Sequence, residues 1–186
     1  MTNKIETFAE RLYECNRHKE KLLFSAKRLE ALMPLTIARY EELSMEEESF
    51  IDQMVFRFSK LQDALGEKLF PSLLELMSEE VKSKPFIDRL NRIEELGILY
   101  KDEWMELRRK RNEIAHEYSF NKEDVVCGIN DIHNSIRKLV GIYNTFYSYC
   151  MGRFEFIKNS QFLAQMSNGN HYIENSKKSE LSQVAT

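Results

Sequence analysis

From Ile5 onward, apolar or near-apolar residues recur as Phe8, Leu12, Cys15, Leu22, Ala26, Leu29 and Met33, an alternating three-four spacing broken only at Lys19. That periodicity predicts one long helix with a single buried seam. Thr2 or Asn3 can cap its start, and Pro34 ends it, because a residue before proline avoids the α region. At about 1.5 Å per residue such a helix is on the order of 45 Å long.

A second pattern starts after Ser44, where Ser44-Met45-Glu46-Glu47 has the form of a capping box. It runs through Phe50, Ile51, Met54, Phe58, Leu61 and Leu65, then past Gly66 to Leu69, Leu73 and Met77. Gly66 weakens the helix and Pro71 removes a backbone donor, so a bend is expected there. Pro85 to Leu96 fits a short helix, with proline in the first turn and Gly97 as the stop. Asp102 opens a fourth, carrying Trp104, Leu107 and Ile114 and ending near His116 to Tyr118. Asn121 caps the fifth, whose seam is Ile129, Ile132, Ile136, Leu139, Tyr143, Phe146, Cys150 and Ile157, interrupted by Arg153.

The expected fold is therefore all-α, an up-and-down bundle of four to five helices whose first and last are long. Residues 1–166 form the bundle. The Ser-, Asn- and Lys-rich stretch 167–186 is expected to be a mobile tail.

Composition narrows the picture further. With 186 residues and 42% apolar content the chain can bury one core, and only 6 glycines and 3 prolines argue against a turn-rich β fold. A net charge of −3 rules out a chain-wide grip on nucleic acid, so any such contact needs a local patch. No apolar run reaches the roughly 20 residues of a membrane span, and a cytoplasmic location without membrane contact is expected. Cys15, Cys127 and Cys150 are scattered among helix-core positions and read as reduced packing residues. The run Glu46-Glu47-Glu48 reads as a helix start, with no metal site expected. Trp104, Phe56, Phe58 and Phe70 have helical spacing, which usually means core rather than base stacking. No glycine-rich phosphate loop or zinc spacing occurs, and no cofactor is expected.

The segment with candidate chemistry is Arg111-Asn112-Glu113-Ile114-Ala115-His116-Glu117-Tyr118. A guanidinium can hold a phosphate bidentately and an imidazole can move a proton near neutral pH, so metal-free RNA cleavage is within its means. Asn112 and His116 are four apart, which lets the amide orient the imidazole on a continuing helix. Arg111 and Tyr118 share a face. Arg111 and His116 lie roughly 140° apart and converge only through the arginine's reach or a loosened last turn. The plain alternative, which spacing alone favours, is a solvated basic face of Arg108, Arg109, Lys110 and Arg111, with His116 at the helix C-terminus for electrostatic reasons. His18 and His133 lie in charged or polar helix stretches and His171 in the tail, and none is expected to be functional.

The same eight residues resemble the signature of the HEPN superfamily, in which arginine and histidine are four to six residues apart and a polar residue follows the arginine. The trailing tyrosine makes them similar to the HepT-like toxin branch, encoded beside a minimal nucleotidyltransferase antitoxin. The runs Val55 to Asp63, Gly66 to Phe70 and Phe86 to Asn91 occur in the order expected of such proteins, so the likeness covers roughly residues 5–155. It implies a homodimeric, metal-independent endoribonuclease, the toxin of a type VII-like toxin–antitoxin pair. By that resemblance Arg111 and His116 are catalytic, Asn112 supports them, and Tyr118 is the hydroxyl that the antitoxin modifies with AMP. The second copy of the motif would supply a second His116 across a shared cleft, since one imidazole cannot serve both ends of the reaction at once. The branch is often shorter, which leaves the long first helix and the tail without an assigned role. The alternative is a non-catalytic helical partner or substrate-binding subunit of the nucleotidyltransferase.

Overall fold

The computed structural model describes residues 2–81, 83–116 and 121–155, with the backbone alone described at 2, 3, 115 and 116. Among these residues the regular elements are all helical. In order they are α1 (Thr2–Leu29), a 3-10 turn (Glu30–Leu32), α2 (Ile37–Glu41), α3 (Met45–Asp63), a π-helical segment (Ala64–Leu69), α4 (Phe70–Leu76), α5 (Phe86–Glu95), α6 (Lys101–His116) and α7 (Lys122–Arg153). The expected second helix is thus α3, the π segment and α4 in continuous helical conformation, and α2 is an element the periodicity did not reveal. The proposed tail and Ile157 lie outside the described residues.

The seams bury as their spacing requires. Phe8, Leu12, Cys15, Leu22 and Leu29 of α1 are buried, as are Ile51, Met54, Phe58 and Leu61 of α3 and Ile129, Ile132, Leu139, Tyr143 and Phe146 of α7. Rings join the layers: Phe146 lies 6.2 Å from Phe8 and 5.7 Å from Phe70, and Phe70 lies 5.0 Å from Trp104. Lys19, the break in the first seam, sets its ammonium 4.7 Å from the centre of the Tyr143 ring. Burial pushes its pKa below the ordinary lysine value. Nearby, the Tyr143 hydroxyl donates to Asn16 Oδ1 at 3.3 Å, so this polar intrusion is hydrogen-bonded rather than orphaned.

Helix ends follow local rules. The Ser44 capping box forms in both directions: Ser44 Oγ accepts from the Glu47 amide at 3.3 Å and Glu47 Oε2 from the Ser44 amide at 2.8 Å. Gly97, at φ 72°, ends α5; its amide donates to Glu94 O and that of Ile98 to Ile93 O, a Schellman pattern closed by two buried isoleucines. Asn121 Oδ1 caps α7 by accepting from the Glu123 amide at 3.1 Å. Across the fold, Asn130 binds both the amide and the carbonyl of Leu35, at 2.8 and 2.9 Å, and so ties the connection before α2 to α7.

The expectation for Gly66 and Pro71 takes a specific form. The Phe70 amide reaches back five residues to Leu65 O, so the helix widens by a residue where proline would otherwise leave the ladder short of a donor. Gly66 sits in this widened turn against Trp104. Cys15 and Cys150 are buried, and burial raises the Cys150 thiol to about 12. Cys127 corrects the sequence-based reading: it is exposed, because it falls on the solvent side of α7 between Val126 and Ile129.

Candidate functional site

Arg111 lies in the last turns of α6, and its side chain is 22% exposed. Its Nη2 pairs with Asp63 at the C-terminal end of α3, and its Nη1 donates to Asn112 Oδ1 at 2.9 Å. Arg111 and Asn112 therefore come together directly. The Asn112 oxygen, which sequence spacing had turned toward His116, is taken up by its neighbour's guanidinium. His116 closes α6, and its side chain lies outside the described residues, as does Tyr118 altogether.

The basic run does not form a single patch. Successive residues on a helix turn by about 100°, so four consecutive cations face four ways. Arg108 lies 4.4 Å above the Phe86 ring of α5, Arg109 reaches Glu113 at 2.6 Å, Lys110 meets Glu106 at 3.3 Å and Asp131 at 3.6 Å, and Arg111 meets Asp63. Hydrogen bonding by Lys110, with help from Lys138, holds Glu106 below the ordinary carboxylate range.

Asp63 is the residue that sequence reasoning missed. It stood in the compared run Val55 to Asp63 without a role, and the only available signal was a carboxylate at the end of an otherwise apolar-faced helix. It also lines a pocket of about 300 Å³ between the widened turn, α5 and α6. Trp104 and Arg108 of α6 line it, on the face of the helix that also carries Arg111.

A second polar cluster lies between α1, α3 and the π-helical segment. Arg57 Nη1 stands 3.1 Å from His18 Nδ1, in a groove of about 670 Å³ that also includes Arg17, Lys21 and Lys68. Burial first, and the Arg57 charge second, lower the His18 pKa, so its imidazole is held neutral and accepts at Nδ1 from Arg57. His133 is lowered by burial too. Phe58, Phe70 and Trp104 are core residues, while Phe56 is 49% exposed beside Arg57 and Lys60.

Among the described residues there is no cluster of three or more His, Cys, Asp or Glu that could hold a metal ion, and no helix is long and apolar enough to cross a membrane. Among the described residues, the fold and site define an all-helical arrangement with a carboxylate-anchored arginine at the end of α6. No family model, no curated protein and no solved structure matches the chain.

Proposed function

We propose that the chain is a HEPN-like, metal-independent endoribonuclease, the toxin of a pair whose antitoxin is a minimal nucleotidyltransferase. The observation that carries this reading is the anchored guanidinium. Asp63 and Asn112 hold Arg111 in a defined position at the end of α6, five residues before His116, in the order of the motif. An arginine held in advance loses less freedom when it meets a scissile phosphate, and it stabilises charge that builds there. His116 would take the 2′-hydroxyl proton, and His116 of a second copy would protonate the leaving oxygen. Tyr118, two residues on, would be the AMP acceptor; a phosphate there would compete for the same guanidinium.

The test is RNA cleavage by the purified chain in the presence of EDTA. Cleavage should persist with the chelator, disappear in Arg111→Ala and His116→Ala at unchanged helicity, and track a dimer in sedimentation. A His116→Ala protein that cuts as fast as its parent, or activity that EDTA removes, overturns the assignment.

One observation favours the non-catalytic alternative. Both terminal nitrogens of Arg111 already have protein partners, so a phosphate would have to displace or share them. A chain that binds the nucleotidyltransferase tightly yet leaves RNA intact would establish the accessory role.

A further inference from the structure

The pocket that Asp63 lines concentrates unpaired polar atoms. Gln62 is 2% exposed and Trp104 1%. Gln62 Nε2 and Oε1, Trp104 Nε1 and Arg89 Nε are all buried without a hydrogen-bond partner among the described residues. All three side chains line the same pocket. A buried polar atom that nothing satisfies is destabilising, so four of them around one pocket point to a ligand that satisfies them.

Their chemistry selects the ligand. Trp104 Nε1 and Arg89 Nε only donate, and Arg108 adds a guanidinium stacked 4.4 Å from Phe86. The pocket's carboxylates are Asp63 and Glu67; Asp63 is neutralised by Arg111, and Glu67 is exposed. Donors and cations thus dominate, which suits a phosphate. The Gln62 amide differs, offering one acceptor and two donors in a plane. That is the arrangement by which glutamine pairs with the edge of a nucleobase. Phe86, between Arg89 and Arg108, supplies an aromatic wall.

We infer that this pocket binds a nucleotide, with the phosphate on Arg89 and Arg108 and the base edge on Gln62. It rests on these atoms and is independent of whether Arg111 and His116 cleave RNA. Trp104 is the sole tryptophan of the chain, so its fluorescence reports on the pocket alone. The full chain is titrated with UMP, AMP and inorganic phosphate, with calorimetry as a second readout. UMP or AMP should change the Trp104 emission and bind more tightly than inorganic phosphate, which should compete with them. Arg108→Gln should weaken both classes by about tenfold or more, whereas Gln62→Leu should weaken the nucleotides alone. The inference fails if neither nucleotide gives heat or an emission change, if phosphate does not compete in the unaltered protein, or if Arg108→Gln, folded by circular dichroism, binds as before. Response to inorganic phosphate alone, with no preference for nucleotides, would overturn the base assignment. Nucleotide binding without RNA cleavage would sink the ribonuclease proposal and leave the pocket standing; cleavage without binding at Trp104 would do the reverse.

Discussion

Replacing Gly66 by alanine tests whether the widened turn exists to admit Trp104. A Cβ built at Gly66 would stand 2.9 Å from Trp104 Cζ2. Ordinary carbon–carbon contact begins about 0.6 Å further out. The indole is 1% exposed and packed 5.0 Å from Phe70, so moving it would disturb that contact. Overpacking of this kind costs about 1–3 kcal/mol, against which alanine gains about 0.5–1 kcal/mol over glycine in a helical backbone. Gly141 of α7 supplies the control, because nothing lies within 4 Å of its built Cβ. Gly141→Ala should therefore be neutral to stabilising by about 0.5–1 kcal/mol, and the two variants should differ by the overpacking term, about 1–3 kcal/mol. At roughly 2–4 °C per kcal/mol for a chain of this size, thermal denaturation followed by circular dichroism resolves that gap. The Trp104 emission should also move in Gly66→Ala and stay fixed in Gly141→Ala. Equal melting temperatures would refute the reasoning, since the close approach would then impose no constraint.

Two further outcomes follow from tertiary contacts. Asn130→Ala leaves the Leu35 amide and carbonyl without their side-chain partner and should cost about 2–3 kcal/mol; urea midpoints at constant slope would check this, and an unchanged midpoint would refute it. His18 and His133 both have pKa values lowered from 6.5, chiefly by burial. Their neutral forms belong to the fold and the unfolded chain takes up protons first, so stability is complete above pH 6.5 and is lost as pH falls through the lowered folded-state values. Urea midpoints titrated through that range should fall in the parent and fall less in a His18→Gln, His133→Gln double variant; identical profiles would contradict the assignment.

What was legible in the sequence is what a few neighbouring residues decide. The Ser44–Glu47 box, the Gly97 stop and the Asn121 cap each close within five residues, and each forms as its residue types require. The long seams were legible because burial repeats at the helical period, and even the interruption at Lys19 marked a real site, where the side chain meets Tyr143. Local periodicity gave no warning of α2: its five residues are too few to establish a seam, and none of them is buried.

The candidate site divides along the same line. The eight-residue motif could be read because its members are consecutive, but the partner that fixes Arg111 is 48 positions away on another helix. Nor could a one-dimensional run distinguish a basic patch from four cations turned to separate partners, since that depends in part on what α3, α5 and α7 present to each side of α6. The pocket is the extreme case. Gln62 looks like an ordinary polar residue near a helix end, and Trp104 like plain core; only their burial, without partners, around a common space gives their polar atoms meaning. A motif scan weights the residues that could do chemistry by type. In this chain type alone would pass over Gln62, and the physical cost of burying an unpaired amide is what brings it forward.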